Sequence, residues 1–314
     1  MNSIRRTRFI AWITAGSLLA LPAWASPIGD VVERPAWTWP PVVVVCLLLT
    51  AGIYSLGISK MLRSDAKSSL RRIAVLYFVL GWISLVVALD SPIHEIGEQL
   101  FWVHMTQHEI LMLISAPLFV FGRPLIPLLF ALPLSWRERA AALGRTKAFR
   151  KAWNTISTPI VAWVLSAIAL WIWHIPWLFD QALQSDWIHA AQHTTFLVTA
   201  LLFWWPLANR TSALDYGAGV AYVFTTALHT SVLGALLTFA PRVWYSSYLA
   251  TAFAWHITAL EDQQLGGLIM WIPAGTLLLI VALVLLFKWM NESDARWQYT
   301  RMADLTRSSN GVIQ

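Results

Sequence analysis

Cysteine is almost absent from this 314-residue sequence, in which Cys46 is the only one. A single cysteine excludes an intrachain disulfide and a Cys-x-x-Cys thiolate pair of the kind that holds copper. Charged residues are also scarce, at 12%, whereas apolar residues make up 58% and the mean hydropathy is +0.60. This balance is typical of a polytopic helical membrane protein.

Seven apolar segments, each near the roughly 20 residues that a bilayer crossing requires, follow the N-terminal region. They cover residues 37–59, 73–89, 101–122, 158–179, 189–208, 217–240 and 265–287. Residues 1–25 carry Arg5, Arg6 and Arg8 near their start, continue as a short apolar run and end in Ala-Trp-Ala. This pattern predicts a cleavable signal peptide, with an uncleaved first span as the alternative. We therefore predict an all-α bundle of seven transmembrane helices within residues 26–290, followed by a polar tail at 291–314.

Positive charge divides the connections between these segments into two sets. One set of alternate connections holds 17 Lys and Arg residues, whereas the other holds only Arg34 and Arg242. Because positive residues collect on the cytoplasmic side, we predict that the mature chain begins outside and ends in the cytoplasm. The same asymmetry accounts for the net charge of +6, so the expected partner is membrane lipid and not nucleic acid.

Paired histidines mark the outer starts of two predicted spans. His104 and His108 are four residues apart, and His189 and His193 repeat this spacing. Residues four apart share one face of a helix, and ionisable groups within a span indicate function because they are costly to place there. None of the eight histidines falls in a predicted cytoplasmic segment, so the outer half of the bundle collects them.

The residues beside these pairs narrow the choice of metal. Met105 and Met112 supply thioethers, and imidazole together with thioether suits copper, above all Cu(I). Imidazole together with Glu109 would instead suit zinc or iron. We predict a copper site formed by the four paired histidines, softened by Met105 or Met112.

A polar cluster of sequence Glu-Asp-Gln-Gln-Leu-Gly-Gly opens the last predicted span at residues 261–267. Its carboxylates have two possible roles. They either cap a helix N-terminus, or they attract a cation and hydrogen-bond to a histidine that ligates it. Gly266 and Gly267 predict a close approach between helices.

Three stretches resemble the CtaG family of cytochrome c oxidase assembly factors, the multispan type associated with caa-type oxidases. They are SPIHEIGEQLFWVHMTQHEILMLISAPLFVFGRPL, WHIPWLFDQAL with WIHAAQHTTFLVTALLFWWPL, and LEDQQLGGLIMWIPAG. The resemblance implies a non-enzymatic protein of the bacterial inner membrane that helps to supply copper to oxidase subunits, with periplasmic copper chaperones as further partners. The four paired histidines, His174 and Glu109 match the family's motifs.

Other classes of membrane protein share parts of this pattern. Paired histidines on facing helices also suit axial ligation of b-type haem in an electron-transfer protein, although two histidines on one face would compete for one ligand position. A zinc hydrolase is disfavoured because no His-Glu-x-x-His occurs. A retinal protein is excluded because Lys288 lies at the cytoplasmic end of the last span.

Overall fold

The computed structural model describes residues 35–64, 72–209 and 214–311, so the predicted signal peptide at 1–25 lies outside the described residues. Within those ranges the chain is helical and contains no strand, which confirms the all-α prediction. The first two helices are α1 (Pro41–Leu62) and α2 (Arg72–Leu89). A short helix, α3 (Pro92–Gln99), follows α2. Its N-cap residue is Ser91, whose hydroxyl oxygen accepts the Ile93 N–H.

The third predicted span, Phe101–Gly122, forms as one helical rod with an irregular middle. It consists of α4 (Phe101–Glu109), a π-helical stretch (Ile110–Ser115) and α5 (Ala116–Gly122). Such insertions of one extra residue per turn are frequent at functional sites. The rod carries both His104 and His108 on its first part.

Three helices lie in the long basic connection that follows. They are α6 (Leu125–Ala131), α7 (Leu134–Arg145) and α8 (Lys147–Ile156). The short α6 packs against α1, where Gly57 lies directly on the Pro127 carbonyl and has no room for a side chain. Lys60 Nζ donates to the Ala131 carbonyl at 2.5 Å, which fixes the end of α6.

The prediction of one continuous helix at residues 158–179 is wrong. The structure divides this segment into α9 (Pro159–Trp173) and α10 (Pro176–Gln184), separated at His174 and Ile175. Pro176 explains the break, because proline lacks the N–H that would continue the helix and disfavours helical backbone in the residue before it. Ile175 is accordingly extended, with φ −64° and ψ 124°.

The remaining helices are α11 (Asp186–Ala208), α12 (Tyr216–Thr238), the short α13 (Tyr248–Thr251) with a 3₁₀ turn (Ala252–Trp255), and α14 (Ala259–Gly311). The last helix thus continues well beyond the predicted end of the seventh span at residue 287. Residues 291–311 of the predicted polar tail belong to this helix.

Five of the described helices are long and apolar enough to cross a membrane. They are Pro41–Leu62, Arg72–Leu89, Phe101–Gly122, Tyr216–Thr238 and Ala259–Gln298, and the bent pair α8–α9 (61°) adds a sixth if it counts as one span. α11 has sufficient length, with 23 residues, but falls outside this set, and its first turns carry Asp186, His189 and His193. The number seven therefore stays a prediction.

Close packing of α12 on α14 confirms the predicted role of the glycines. A Cβ on Gly267 would lie 2.6 Å from the Thr238 backbone nitrogen and 2.7 Å from the Gly234 carbonyl oxygen. On the neighbouring side, Gly266 leaves space for the ring of Phe101. Small residues at such positions let helix backbones approach each other in a membrane.

Candidate metal centre

The polar cluster at the start of α14 forms hydrogen bonds that hold neighbouring segments in place. The Asp262 carboxylate, fully buried, accepts the backbone N–H groups of Phe101 at 2.7 Å and Trp102 at 3.0 Å, so it caps α4 and not its own helix. Glu261 forms a capping box with Thr258. The side chain of Gln263 accepts the Trp244 N–H at 2.6 Å. These partners support the capping interpretation of the cluster.

α4 and α11 present their histidines to one another. On α4, His104 and His108 lie one turn apart and are both buried. On α11 the buried positions include His189, His193 and Phe196, a spacing of three and four residues that places them on one face. Because α4 begins at the Asp262 cap, the anchor on α14 sets the position of His104 one turn further on.

The four paired histidines, hereafter the histidine cluster, meet between the two helices. His104, His189 and His193 each offer one ring nitrogen, and these three atoms all lie within 4.8 Å of one another. The ring of His108 packs edge-on against His104 and His193, with centroids 4.4 and 5.2 Å away. The central prediction from the sequence, that imidazoles of two different helices converge, therefore agrees with the geometry.

The imidazoles are buried, with His104 0% and His108 1% exposed. Among the described residues neither ring nitrogen of His108 has a hydrogen-bond partner, and those of His104 have only the Gly97 backbone and the Gln192 side chain nearby, outside good hydrogen-bond geometry. The Nε2 atoms of His189 and His193 are also buried and unpartnered. Leaving a buried polar atom unsatisfied costs about 1–3 kcal/mol, so several together call for a ligand that would satisfy them.

Aromatic rings close the inner side of the histidine cluster. Phe179 of α10 packs on His104 at 5.1 Å between ring centroids, and Phe196 of α11 packs on His108 at 4.7 Å. His174 lies next to both phenylalanines, with its Nδ1 2.7 Å from the Leu170 carbonyl oxygen and its buried Nε2 without a partner. The proline break before α10 thus brings Phe179 and His174 to the cluster.

The spacing of the ring nitrogens fits a metal ion. Metal–imidazole bonds of about 2 Å place two nitrogens on one ion no more than about 4 Å apart. The upper limit of 4.8 Å for the trio requires only small side-chain rotations to reach that separation. Imidazole nitrogens accept copper, zinc, iron and nickel, so the donor set alone leaves several metals open.

Three further predicted ligands, Met105, Glu109 and Met112, stay predictions, and the structure shows what surrounds each of them. Met105 is fully buried in an apolar cluster with Phe101 and Tyr245. Glu109 and Met112 instead line a separate cavity of about 50 Å³ between α4, α9, α11, α12 and α14, together with His229 and Met270. Met105 therefore shares the rings of Phe179 and Phe196 with the histidine cluster, whereas Glu109 and Met112 contribute to a different cavity.

His94 and Glu98 on α3 were not predicted as site residues. The His94 ring stacks on His189 with centroids 5.3 Å apart, and its Nε2 lies 3.8 Å from Glu98 Oε1. Burial lowers the pKa of His94 against the opposing effect of nearby acids, which favours the neutral, metal-binding form. The spacing His-x-x-x-Glu after the Ser-Pro helix start was a usable signal, although His94 was assigned to a connection.

Fold and site together define a polytopic helical membrane protein with a buried polyhistidine centre. The chain belongs to the cytochrome c oxidase caa3 assembly factor family, whose model matches residues 52–292. This confirms the resemblance drawn from the sequence motifs.

Similar curated proteins occur in mycobacteria. Uncharacterized proteins of Mycobacterium bovis and Mycobacterium tuberculosis are each 24% identical over 288 residues, covering 87% of this chain and 43% of theirs. One from Mycobacterium leprae is 24% identical over 226 residues, covering 68% of this chain and 33% of its own. The chain thus spans less than half the length of these relatives. No solved structure matches it.

Proposed function

We propose that the protein binds copper in the histidine cluster and passes it to a cytochrome c oxidase subunit during assembly. It would act in the bacterial inner membrane as a non-enzymatic factor, with the cluster at the outer end of the bundle and the C-terminus in the cytoplasm. The copper is cargo, so it must bind and leave. Periplasmic copper chaperones would supply the ion.

The observation that carries this proposal is the buried trio of His104, His189 and His193. Their ligand atoms lie within 4.8 Å of one another, and the buried Nε2 atoms of His189 and His193 have no hydrogen-bond partner among the described residues. Family membership connects that donor set with the oxidase. Among the metals that imidazole accepts, copper is the one that this connection favours.

Haem ligation is less well supported by the same geometry. A bis-histidine haem needs a flat space between facing imidazoles, one from each helix. The rings of the histidine cluster instead pack against one another, with centroids 4.3 to 5.9 Å apart. An absorption spectrum of the purified, reduced protein tests this directly, since bound b-type haem would give Soret and alpha bands.

The main experiment measures copper in purified protein equilibrated with Cu(I) in the absence of oxygen. Wild-type protein should bind copper tightly, and the double variant His104→Ala/His193→Ala should lose this tight binding while still inserting into the membrane. Cells that carry the double variant should also assemble less active oxidase. His256→Asn is the control, because His256 is exposed, lies outside the cluster, and adopts φ 58°, a conformation that asparagine tolerates.

Two results would contradict the proposal. Wild-type copper content in the folded double variant would place the metal elsewhere. Equal losses in the double variant and in His256→Asn would show that the assay reports general damage to the protein and that the cluster has no special part in binding.

A further inference from the structure

A second group of ligand atoms lies beside the histidine cluster and opens to solvent. His94 and Glu98 on α3 and His189 on α11 each offer one atom, and these atoms lie within 4.8 Å of one another. The Glu98 side chain is 52% exposed and that of His94 18%, whereas His189 is buried. The group therefore has one side in solvent and one side in the bundle.

His189 is common to this group and to the buried trio. Its ring stacks on His94, with centroids 5.3 Å apart, and on His104, with centroids 5.1 Å apart. A shared ligand lets an ion exchange its other donors one at a time without becoming bare. An uncompensated charge in an apolar interior is very costly. Stepwise ligand exchange is therefore the favourable path for the ion from the outer group to the buried trio.

We propose that His94, Glu98 and His189 form an outer capture site for Cu(I), from which the ion moves to His104 and His193 while His189 stays bound. This inference rests on the proposed copper-binding function and adds a route to it. The step changes only the ligands of the ion, and no electron is transferred.

The donor types suit capture followed by release. A carboxylate is a hard ligand and a weak partner for soft Cu(I), so Glu98 attracts the cation without holding it tightly. Asp186, in the first turn of α11, and Glu95 add negative charge near His94. A site of one sign of charge raises the local concentration of its counter-ion and the rate at which it arrives.

Gln107 positions the His94 ring for this role. Its amide Nε2 donates to the Ala88 carbonyl at 2.6 Å and lies 3.0 Å from His94 Nδ1, while its Oε1 is buried without a partner. These two contacts hold the His94 ring in place and leave its Nε2 on the side of Glu98.

The test follows Cu(I) transfer from a coloured chelator into purified full-length protein, recording both the rate of uptake and the copper bound at equilibrium. Glu98→Gln should reduce the rate by about tenfold and leave the final copper content unchanged. Asp186→Asn is the matched control, because it removes the same charge near His94 without removing a ligand, so its rate should fall less. His104→Ala/His193→Ala should keep only weak binding, which Glu98→Gln added to it should abolish.

The outcomes separate this inference from the proposed function. Wild-type uptake rates in Glu98→Gln, or equal slowing in Glu98→Gln and Asp186→Asn, would overturn the capture site and leave the buried copper site intact. Unchanged tight binding in His104→Ala/His193→Ala would overturn the proposed function and with it the route. Slow uptake confined to Glu98→Gln, together with weak residual binding that needs Glu98, supports both.

Discussion

The indole Nε1 of Trp204, on α11, donates to the backbone carbonyl of Met112 at 2.9 Å. Met112 lies in the π-helical stretch, where the Ala116 N–H bonds to the Leu111 carbonyl five residues back. In that register the partner of the Met112 carbonyl would be residue 117, which is a proline and has no N–H. Trp204 thus supplies the donor that Pro117 lacks and ties α11 to the span that carries His104 and His108.

We predict that Trp204→Phe destabilises the protein by about 1–3 kcal/mol, because it leaves the half-buried Met112 carbonyl without a donor. The measurement is the free energy or the midpoint of unfolding in detergent. Trp163→Phe is the matched control, since the buried Trp163 Nε1 has no hydrogen-bond partner to lose. Equal destabilisation by the two substitutions would mean that ring volume matters and the hydrogen bond does not.

The sequence predicted the parts of the site that depend on local spacing. Histidines four residues apart share a helix face whatever the rest of the fold does, so local spacing alone was enough to group each pair. Convergence of α4 with α11 was inferred only from the matching depth of the pairs. His94 was missed because it lies in a connection, where period and hydropathy give no indication of burial.

Long-range contacts explain what could not be predicted. Asp262 lies at the start of α14, a position that by itself indicates a cap for that helix, yet it caps α4 across a separation of 161 residues. The position of the Met112 side chain depends on the π-helical stretch, because the extra residue in that turn rotates every later residue around the helix axis. The break at Pro176, in contrast, was visible in the sequence, and only the apolar character of the residues around it suggested one helix.

We predict that Asp262→Ala lowers stability by about 1–2 kcal/mol and also weakens copper loading, because it frees the first turn of α4, which leads directly into His104. Asp262→Asn should have a smaller effect on both, since its amide oxygen still accepts one of the two N–H groups. Thermal unfolding and copper content, measured on the same samples, check this order.

Glu261→Gln provides the comparison for Asp262. Glu261 is exposed, and its carboxylate contacts only its own helix start through Thr258. Loss of its charge should leave copper loading unchanged. A result in which Glu261→Gln and Asp262→Ala reduce loading alike would instead indicate that the negative charge of this region attracts the ion.

We predict that Gly267→Ala destabilises the packing of α12 on α14 by about 1–3 kcal/mol, as overpacking of a close contact does. The added Cβ would meet backbone atoms of Thr238 and Gly234, which cannot move away as a flexible side chain could. Gly275→Ala, on the same helix, should be tolerated, because its nearest neighbour is Ser231 Oγ at 3.8 Å. Unfolding midpoints that rank the two variants in the opposite order would refute the close contact.

The positions of Glu109 and Met112 predict which side chains contribute to copper binding. Both side chains line the separate cavity that also contains His229, so Glu109→Gln and Met112→Leu should leave the copper content of the protein unchanged. His193→Ala should reduce it, because His193 belongs to the buried trio. Copper per protein in folded, detergent-purified samples is the measurement. If Met112→Leu lost copper while His193→Ala kept it, the thioether would be the ligand and the ion would lie in the deeper cavity.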